Sequence, residues 1–278
     1  MAYITSTNVA KAIVKLAAAD ALPMLVGRLV MGNLVRRHYE PVLANVGDTV
    51  GTPSGVISLD THAEATFQIP DVTKVLAVPD LLEIYMQPAI AAIAQRLEAD
   101  LLNLYTDFTA NTPVGTPGTP ITEAVIDAAD TALFLAGVPP AEQKYIVVDA
   151  TTYSAWRCLP RFSEFQTAGD AGLRALIDGV IGKVKDFFVF RSRFVPKTGL
   201  PMATHNLAFA KDAIGLVIRR LPQPLPGTGA IAEYAELGNF GLRVTMNYQP
   251  NTLTQQFTID MLYGCGISDS AMGIVVNT

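Results

Sequence analysis

VGDTVGTPSGV at residues 46–56, ISLDTHAEATFQI at 57–69 and the apolar run over 79–108 decide how this chain is built. The first stretch combines β-branched residues with turn chemistry, Gly47-Asp48 and Thr52-Pro53-Ser54-Gly55. In the second, Leu59, Thr61, Ala63, Ala65, Phe67 and Ile69 alternate with Asp60, His62, Glu64, Thr66 and Gln68. That period of two is the mark of a half-exposed strand. Together they predict a β-hairpin with its turn near residues 51–55, long enough to project from the body. In the third stretch Ile90, Ile93, Leu97, Leu101, Leu104 and Phe108 fall on one apolar stripe of a helix. Pro79-Asp80 opens it, since proline is accepted in a first turn. Helical from 80 to 108, it would span about 43 Å. Pro88 either kinks the helix or marks its true start.

Outward from this unit, residues 8–37 read as helical, broken by Pro23 into two shorter helices or a helix and an arm. The Pro/Gly/Thr stretch at 111–120 ends the long helix and marks a subdomain boundary. Beyond it the texture is mixed: a helix over 121–136 capped by Thr122, a short buried strand at 144–148 (KYIVV), a helix over 150–158 and, after 173–177, a strand at 186–193. From Glu236 the pattern is β again. Strands at 242–247 and 255–262 flank a turn at 248–252, and a last apolar strand covers 273–276.

The 278 residues are enough for a substantial core in one or two merged domains. Half are hydrophobic and only 16% are charged, against roughly 25% in an ordinary soluble domain. Lys11, Lys15, Asp20, Pro23 and Arg28 interrupt the richest N-terminal stretch, so no membrane-spanning helix is indicated. Two explanations of the low charge stand: extensive subunit contact, whose cores are depleted in charge, or an alanine-rich soluble chain. The N-terminus carries no secretory signal pattern. Cys158 and Cys265 are isolated in sequence and are expected to be reduced and buried, as in a cytoplasmic product. A net charge of −5, with Arg36-Arg37 and Arg219-Arg220 as the adjacent basic pairs, argues against strong nucleic-acid binding.

A search for chemistry returns no catalytic, cofactor-binding or metal-binding residues. His38, His62 and His205 lie far apart and in no ligand spacing. Asp149, Ser154 and His205 are the residue types of a triad without the GxSxG elbow. Gly227-Thr228-Gly229 sits in a Pro/Gly-rich loop, not between a strand and a helix, and serves a turn. Glu98 and Asp100 are read as the solvated face of the long helix.

In order along the chain come the hairpin with its THAEATFQIPD strand and the helix PAIAAIAQRLEADLL. Then follow the Val138-Pro139-Pro140 break, IVVD, GVIGKVKDFFVFRSRFVP, NLAFAKDAIGLVIRRLP, GLRVTMNY and FTIDMLYG. This ordered combination resembles the major capsid proteins of tailed double-stranded DNA phages, in the branch similar to the P22 coat protein, and covers nearly the whole chain. The resemblance implies an α+β, HK97-like capsid fold: an N-terminal arm (1–40), an extended hairpin or E-loop (41–71), a periphery (P) domain holding the long "spine" helix (72–120) and late strands (231–262), and a mixed α/β axial (A) domain (121–230) to which 263–278 returns. It implies a structural, non-enzymatic subunit of hexamers and pentamers in an icosahedral head around double-stranded DNA, located in the virion and assembled in the host cytoplasm. Its partners would be copies of itself, a separate scaffolding protein, a portal, decoration proteins and non-specifically contacted DNA, with no membrane.

The chain departs from the family in having no room for the inserted domain of the P22-type coat and in starting at the arm without a built-in scaffold segment. No lysine lies between Lys15 and Lys74, so the isopeptide weld that some relatives make from an E-loop lysine is not expected. A projecting hairpin cannot cover Leu59, Phe67 and Ile69 from within its own subunit, so a neighbour should do so. By the same reasoning, a chain lacking residues 50–68 should fold but not assemble. Two alternatives stay open. One is an encapsulin-like compartment with the same fold; the other is a cytosolic α/β enzyme.

Overall fold

In the computed structural model of the chain, residues 6–40, 49–51, 56–71, 81–140, 142–158, 183–199, 202–225, 228–237 and 240–278 are described. The first helix, α1 (Ser6–Arg28), buries Val14, Ala17, Ala18, Ala21, Leu22 and Leu25, a spacing of three and four that forms one stripe. It runs unbroken through Pro23, which stands on the exposed side. An interior proline costs a helix about 3 kcal/mol, and the burial of this stripe offsets it. A short α2 (Met31–Leu34) and strand β1 (Arg36–Glu40) follow. The N-terminal segment is therefore no free arm. Its apolar stripe packs across the sheet described next, and β1 pairs in parallel with one of that sheet's strands.

Among the described residues the hairpin pairs three residues of each strand. Strands β2 (Thr49–Gly51) and β3 (Val56–Ser58) pair with Val50 opposite Ile57. The tip at 52–55 and the approach at 41–48 lie outside the described residues, as do Pro79-Asp80, residues 173–177 and Gly227. The alternating stretch forms β4 (Thr61–Pro70), and here the structure corrects the expectation. β4 does not project; it pairs along its whole length with β13 (Thr254–Ile267), from Thr61 opposite Tyr263 to Pro70 opposite Thr254. Leu59 and Ile69 are buried and Phe67 partly so within the subunit. A deletion of 50–68 would therefore remove a core strand, not a loop.

Among the described residues, six strands make this first sheet: β1, β4, β10 (Ile214–Arg219), β11 (Ile231–Leu237), β12 (Phe240–Gln249) and β13. The same residues of β13 pair with β4 and with β12, which therefore flank it on opposite sides. β10 takes up the rest of β13. One face carries Ala63, Phe67, Ile69, Leu216, Ile218, Leu242, Val244, Met246, Phe257, Ile259, Met261 and Tyr263, and α1 and the long α3 (Leu81–Asn103) cover it. α3 contributes Met86, Ile90, Ile93, Ala94, Leu97, Leu101 and Leu102. It spans about 35 Å. Pro88 lies inside it, so it is not the start. A 3₁₀ turn (Leu104–Asp107) extends it to the buried Phe108.

The second sheet follows the linker at 111–120. Its described strands run β14 (Gly273–Asn277), β9 (Ala203–Ala210), β5 (Lys144–Val148), β7 (Phe187–Arg191), β6 (Lys183–Val184), with β8 (Lys197–Thr198) on β9. Helices α4 (Glu123–Leu135) and α5 (Ala150–Arg157) pack on one face through Ile126, Ala129, Leu133 and Trp156. Val147, Leu207 and Phe209 on the other face join the core of the first sheet. Buried on both sides, Ile146–Val148 of β5 and Leu207–Ala210 of β9 read as continuous apolar runs without alternation. By its position in the chain β10 is expected in this domain, yet from Ile214, four residues after β9 ends at Ala210, it pairs with β13 of the first sheet.

The seal of α3 on the first sheet should be measurable. Leu97→Ala removes a fully buried side chain. It is expected to cost about 2–5 kcal/mol in denaturant unfolding of the unassembled subunit, and a loss below about 1 kcal/mol would contradict this packing.

Candidate functional site

Of the residues singled out for chemistry, Asp149, His205, Glu98, Asp100 and His62 are engaged in holding elements together. Asp149 caps α5, accepting from the Thr151 amide, and also accepts from Lys197 Nζ at 2.9 Å. Burial alone would raise its carboxyl, but hydrogen bonds from Thr151, Lys197 and the backbone outweigh this and hold it below the ordinary range. His205 stacks on Tyr105 at 4.5 Å, and its ring nitrogens lie 2.6 Å from Thr198 Oγ1 and 2.8 Å from Asn277 Oδ1. Ser154 is exposed on α5. With the carboxylate bonded to Lys197 and both imidazole nitrogens taken, the three do not form a relay.

Glu98 is not on a solvated face. It is buried, and its carboxylate accepts the backbone N–H groups of Val30 and Met31 at 3.0–3.1 Å. It thereby holds the start of α2 on α3. Asp100 accepts from Tyr263 Oη at 2.6 Å and from Arg96 Nε at 3.0 Å. Burial, then the Asp100 hydrogen bond, pushes the Tyr263 phenol up.

On the polar face of the first sheet a cross-strand cluster joins β4, β13 and β12. The buried Asp260 lies 3.0 Å from His62 Nε2 and takes Arg243 through both Nε, at 2.9 Å, and Nη2. Burial would lower the Arg243 guanidinium, and Asp260 more than reverses that. Nearby, Arg220 lies 4.1 Å over the Tyr234 ring. A bidentate pair of this kind fixes register as well as charge. Arg36-Arg37 stand on β1, beside β10 and next to none of the groups of this cluster by register. His38 is opposite Val217 on the same strand pair. Among the described residues, no three His, Cys, Asp or Glu side chains form a metal-holding group, and no helix is long and apolar enough to cross a membrane.

What the arrangement offers instead is surface. Phe134 and Leu135, adjacent at the end of α4, are 58% and 80% exposed. Tyr248 and Leu253 are exposed about the β12–β13 turn, and Ile84 and Tyr85 on the first turns of α3. Single exposed apolar side chains are ordinary, whereas adjacent pairs at the ends of elements suit contact with another chain. Two features are not anticipated by the sequence patterns above. One is the Glu98 cap. The other is the glycine spacing of Gly264 and Gly266, which places both on one face of β13 and could have been read as a close approach.

No family model matches the chain, and no curated protein matches it. Solved structures do, nearly end to end. A Mycobacterium phage Che8 structure matches at 17% identity and a TM-score of 0.62, over 89% of this chain and 90% of that one. The capsid of cyanophage P-SCSP1u matches at 16% identity and 0.56, over 89% and 87%. The SrpI encapsulin from Synechococcus elongatus PCC 7942 matches at 13% identity and 0.51, over 92% and 87%. The chain has the HK97-like capsid fold, and this likeness does not separate the P22 coat-like branch from others.

The two thiols differ in a way that labelling can read. Both are free; Cys158 is exposed, contrary to expectation, and Cys265 is half-buried. Burial first, then the carboxylates of Asp100, Asp60 and Asp107, push the Cys265 thiol up to about 11. At pH 8 only about one Cys265 in a thousand is then thiolate. A thiol reagent at pH 8 should show one fast phase, abolished by Cys158→Ser, and a Cys265 phase that speeds up as pH rises toward 11. Equal rates at pH 8 would contradict this environment.

Proposed function

We propose that this chain is the structural subunit of a self-assembling icosahedral shell, arranged in hexamers and pentamers around double-stranded DNA in the manner of a phage head. The carrying observation is the whole-chain likeness in fold to a cyanophage capsid and an encapsulin, with coverage near nine-tenths in both directions. Two features of the chain itself support it. The polar groups that could have served catalysis cap helices and pair strands, and apolar side chains are displayed at the ends of elements. In this reading the first sheet with α1 and α3 is the periphery domain, the second sheet with α4 and α5 is the axial domain, and the hairpin reaches the next subunit. Such a head-to-tail contact is heterologous and closes into rings by rotation.

The partners follow from the same reading. A separate scaffolding protein, a portal and decoration proteins would complete a head assembled in the host cytoplasm and found in the virion. An acidic subunit would contact packaged DNA weakly and without sequence preference. With no lysine between positions 15 and 74, the shell would be held by burial and contact, not by a covalent weld from the hairpin.

The second reading is an encapsulin-like compartment for a cargo protein, favoured by the SrpI likeness over 92% of the chain. Purified particles decide between the two: nuclease-protected DNA supports the head, and a stoichiometric co-purifying protein supports the compartment.

Light scattering on the purified protein should give particles of megadalton mass. Replacing the hairpin by a short turn between residues 48 and 57 should leave a folded subunit that elutes as monomers or small oligomers. A wild-type protein that stays a small oligomer at every concentration would contradict the shell, and shells from the shortened chain would contradict the role of the hairpin.

A further inference from the structure

The face of the first sheet turned away from α1 and α3 is polar along most of its length, with Glu64, Thr66 and Gln68 of β4 exposed beside Thr258 and Gln256 of β13. At one end its character changes. There β10 and β13 present Gly215, Val217, Gly264 and Gly266, with Gly215 opposite Gly266 and Val217 opposite Gly264. Opposite residues share a face, so these form one smooth floor. The chain leaving the hairpin lies directly on it: Ile57, Leu59 and Val217 make a small apolar cluster separate from the two main cores.

The approach is as close as backbone on backbone. A Cβ on Gly264 would stand 2.0 Å from the Ser58 carbonyl oxygen and 3.2 Å from Leu59 Cα. Rotating a side chain cannot relieve that, because the obstructing atoms are main chain. A Cβ on Gly215 would meet Ile57 Cδ1 at 2.4 Å, and one on Gly266 would meet Ile57 Cγ1 at 3.3 Å. These contacts are with a side chain and are softer. Beyond Leu59 the chain turns down into the sheet edge as β4, where full pairing with β13 and the His62–Asp260–Arg243 cluster secure it.

We propose that this glycine floor is the fulcrum of the hairpin. It clamps the chain at Ile57 and Leu59 in the free subunit, so the direction in which the hairpin departs is set by the subunit's own sheet. Any swing between the free and assembled states takes place on the tip side of Ile57. What the hairpin then touches rests on the shell reading; the clamp is a property of the isolated chain.

Thiol labelling of unassembled subunits tests it, in a background with Cys158→Ser and Cys265→Ser. Ile57→Cys should react at least fiftyfold more slowly than Ser58→Cys, whose side chain is exposed on the neighbouring residue. Adding Gly264→Ala should bring Ile57→Cys close to the Ser58→Cys rate. Should that variant not fold, Gly266→Ala, with its softer contact, should accelerate Ile57→Cys several-fold. Equal rates in the parent overturn the clamp, and slow labelling that persists in folded Gly264→Ala, or in Gly266→Ala where that serves instead, overturns the glycine requirement. In assembled particles Ile57→Cys should stay slow; fast labelling there overturns the placement of the pivot. A subunit that passes the free-state test yet forms no particles would leave the clamp standing and sink the shell reading instead.

Discussion

The apolar face of the first sheet must be covered from within the chain, and the rest of the structure follows from how that is done. α1 and α3 lie on it together, burying a stripe from each. Covering one face leaves the other in water, so β4, β12 and β13 must alternate strictly. A register slip of one residue would turn Phe67, Phe257 and Met246 outward and Gln68, Gln256 and Asn247 inward. The Asp260 cluster acts against such a slip. A bidentate Arg243 on one flank and His62 on the other meet one buried carboxylate, and they meet it only in the native register.

That constraint also fixes what is free to leave. β4 is held along its whole length and α1 is needed as cover, so neither can serve as a reaching arm. Among the described residues, β2 and β3 pair with each other and belong to neither large sheet, and the hairpin is rooted on the glycine floor. In the proposed shell, the subunit keeps its own core intact while a small element makes the contact with the neighbour. This separation suits an assembly that must form without the subunit unfolding.

Much of the fold was legible from local pattern. The strand at Lys144–Val148, the helix after Thr122, the β12–β13 pair and the stripe of α3 all lie where periodicity puts them. What was not legible depends on distant partners. Whether 61–70 projects or pairs is decided by β13, nearly 200 residues later, and the membership of β10 by the same strand. Pro23 reads as a break because propensity is local, whereas the burial that outweighs it is not. Glu98 shows the same limit. Its neighbours in sequence are those of an exposed helix face, and only the arrival of α2 makes it a buried cap. Of the candidate site, the residue types were visible, but their engagement in caps and cross-strand pairs belongs to the tertiary structure.

A cryo-electron microscopy reconstruction of the assembled protein tests the central claim most directly. The account expects a closed icosahedral shell in which the hairpin at 49–58 of each subunit rests on its neighbour while β4 stays paired with β13 of its own chain. Discrete two-fold dimers, or particles whose β4 has left its own sheet to pair with another subunit, would contradict it.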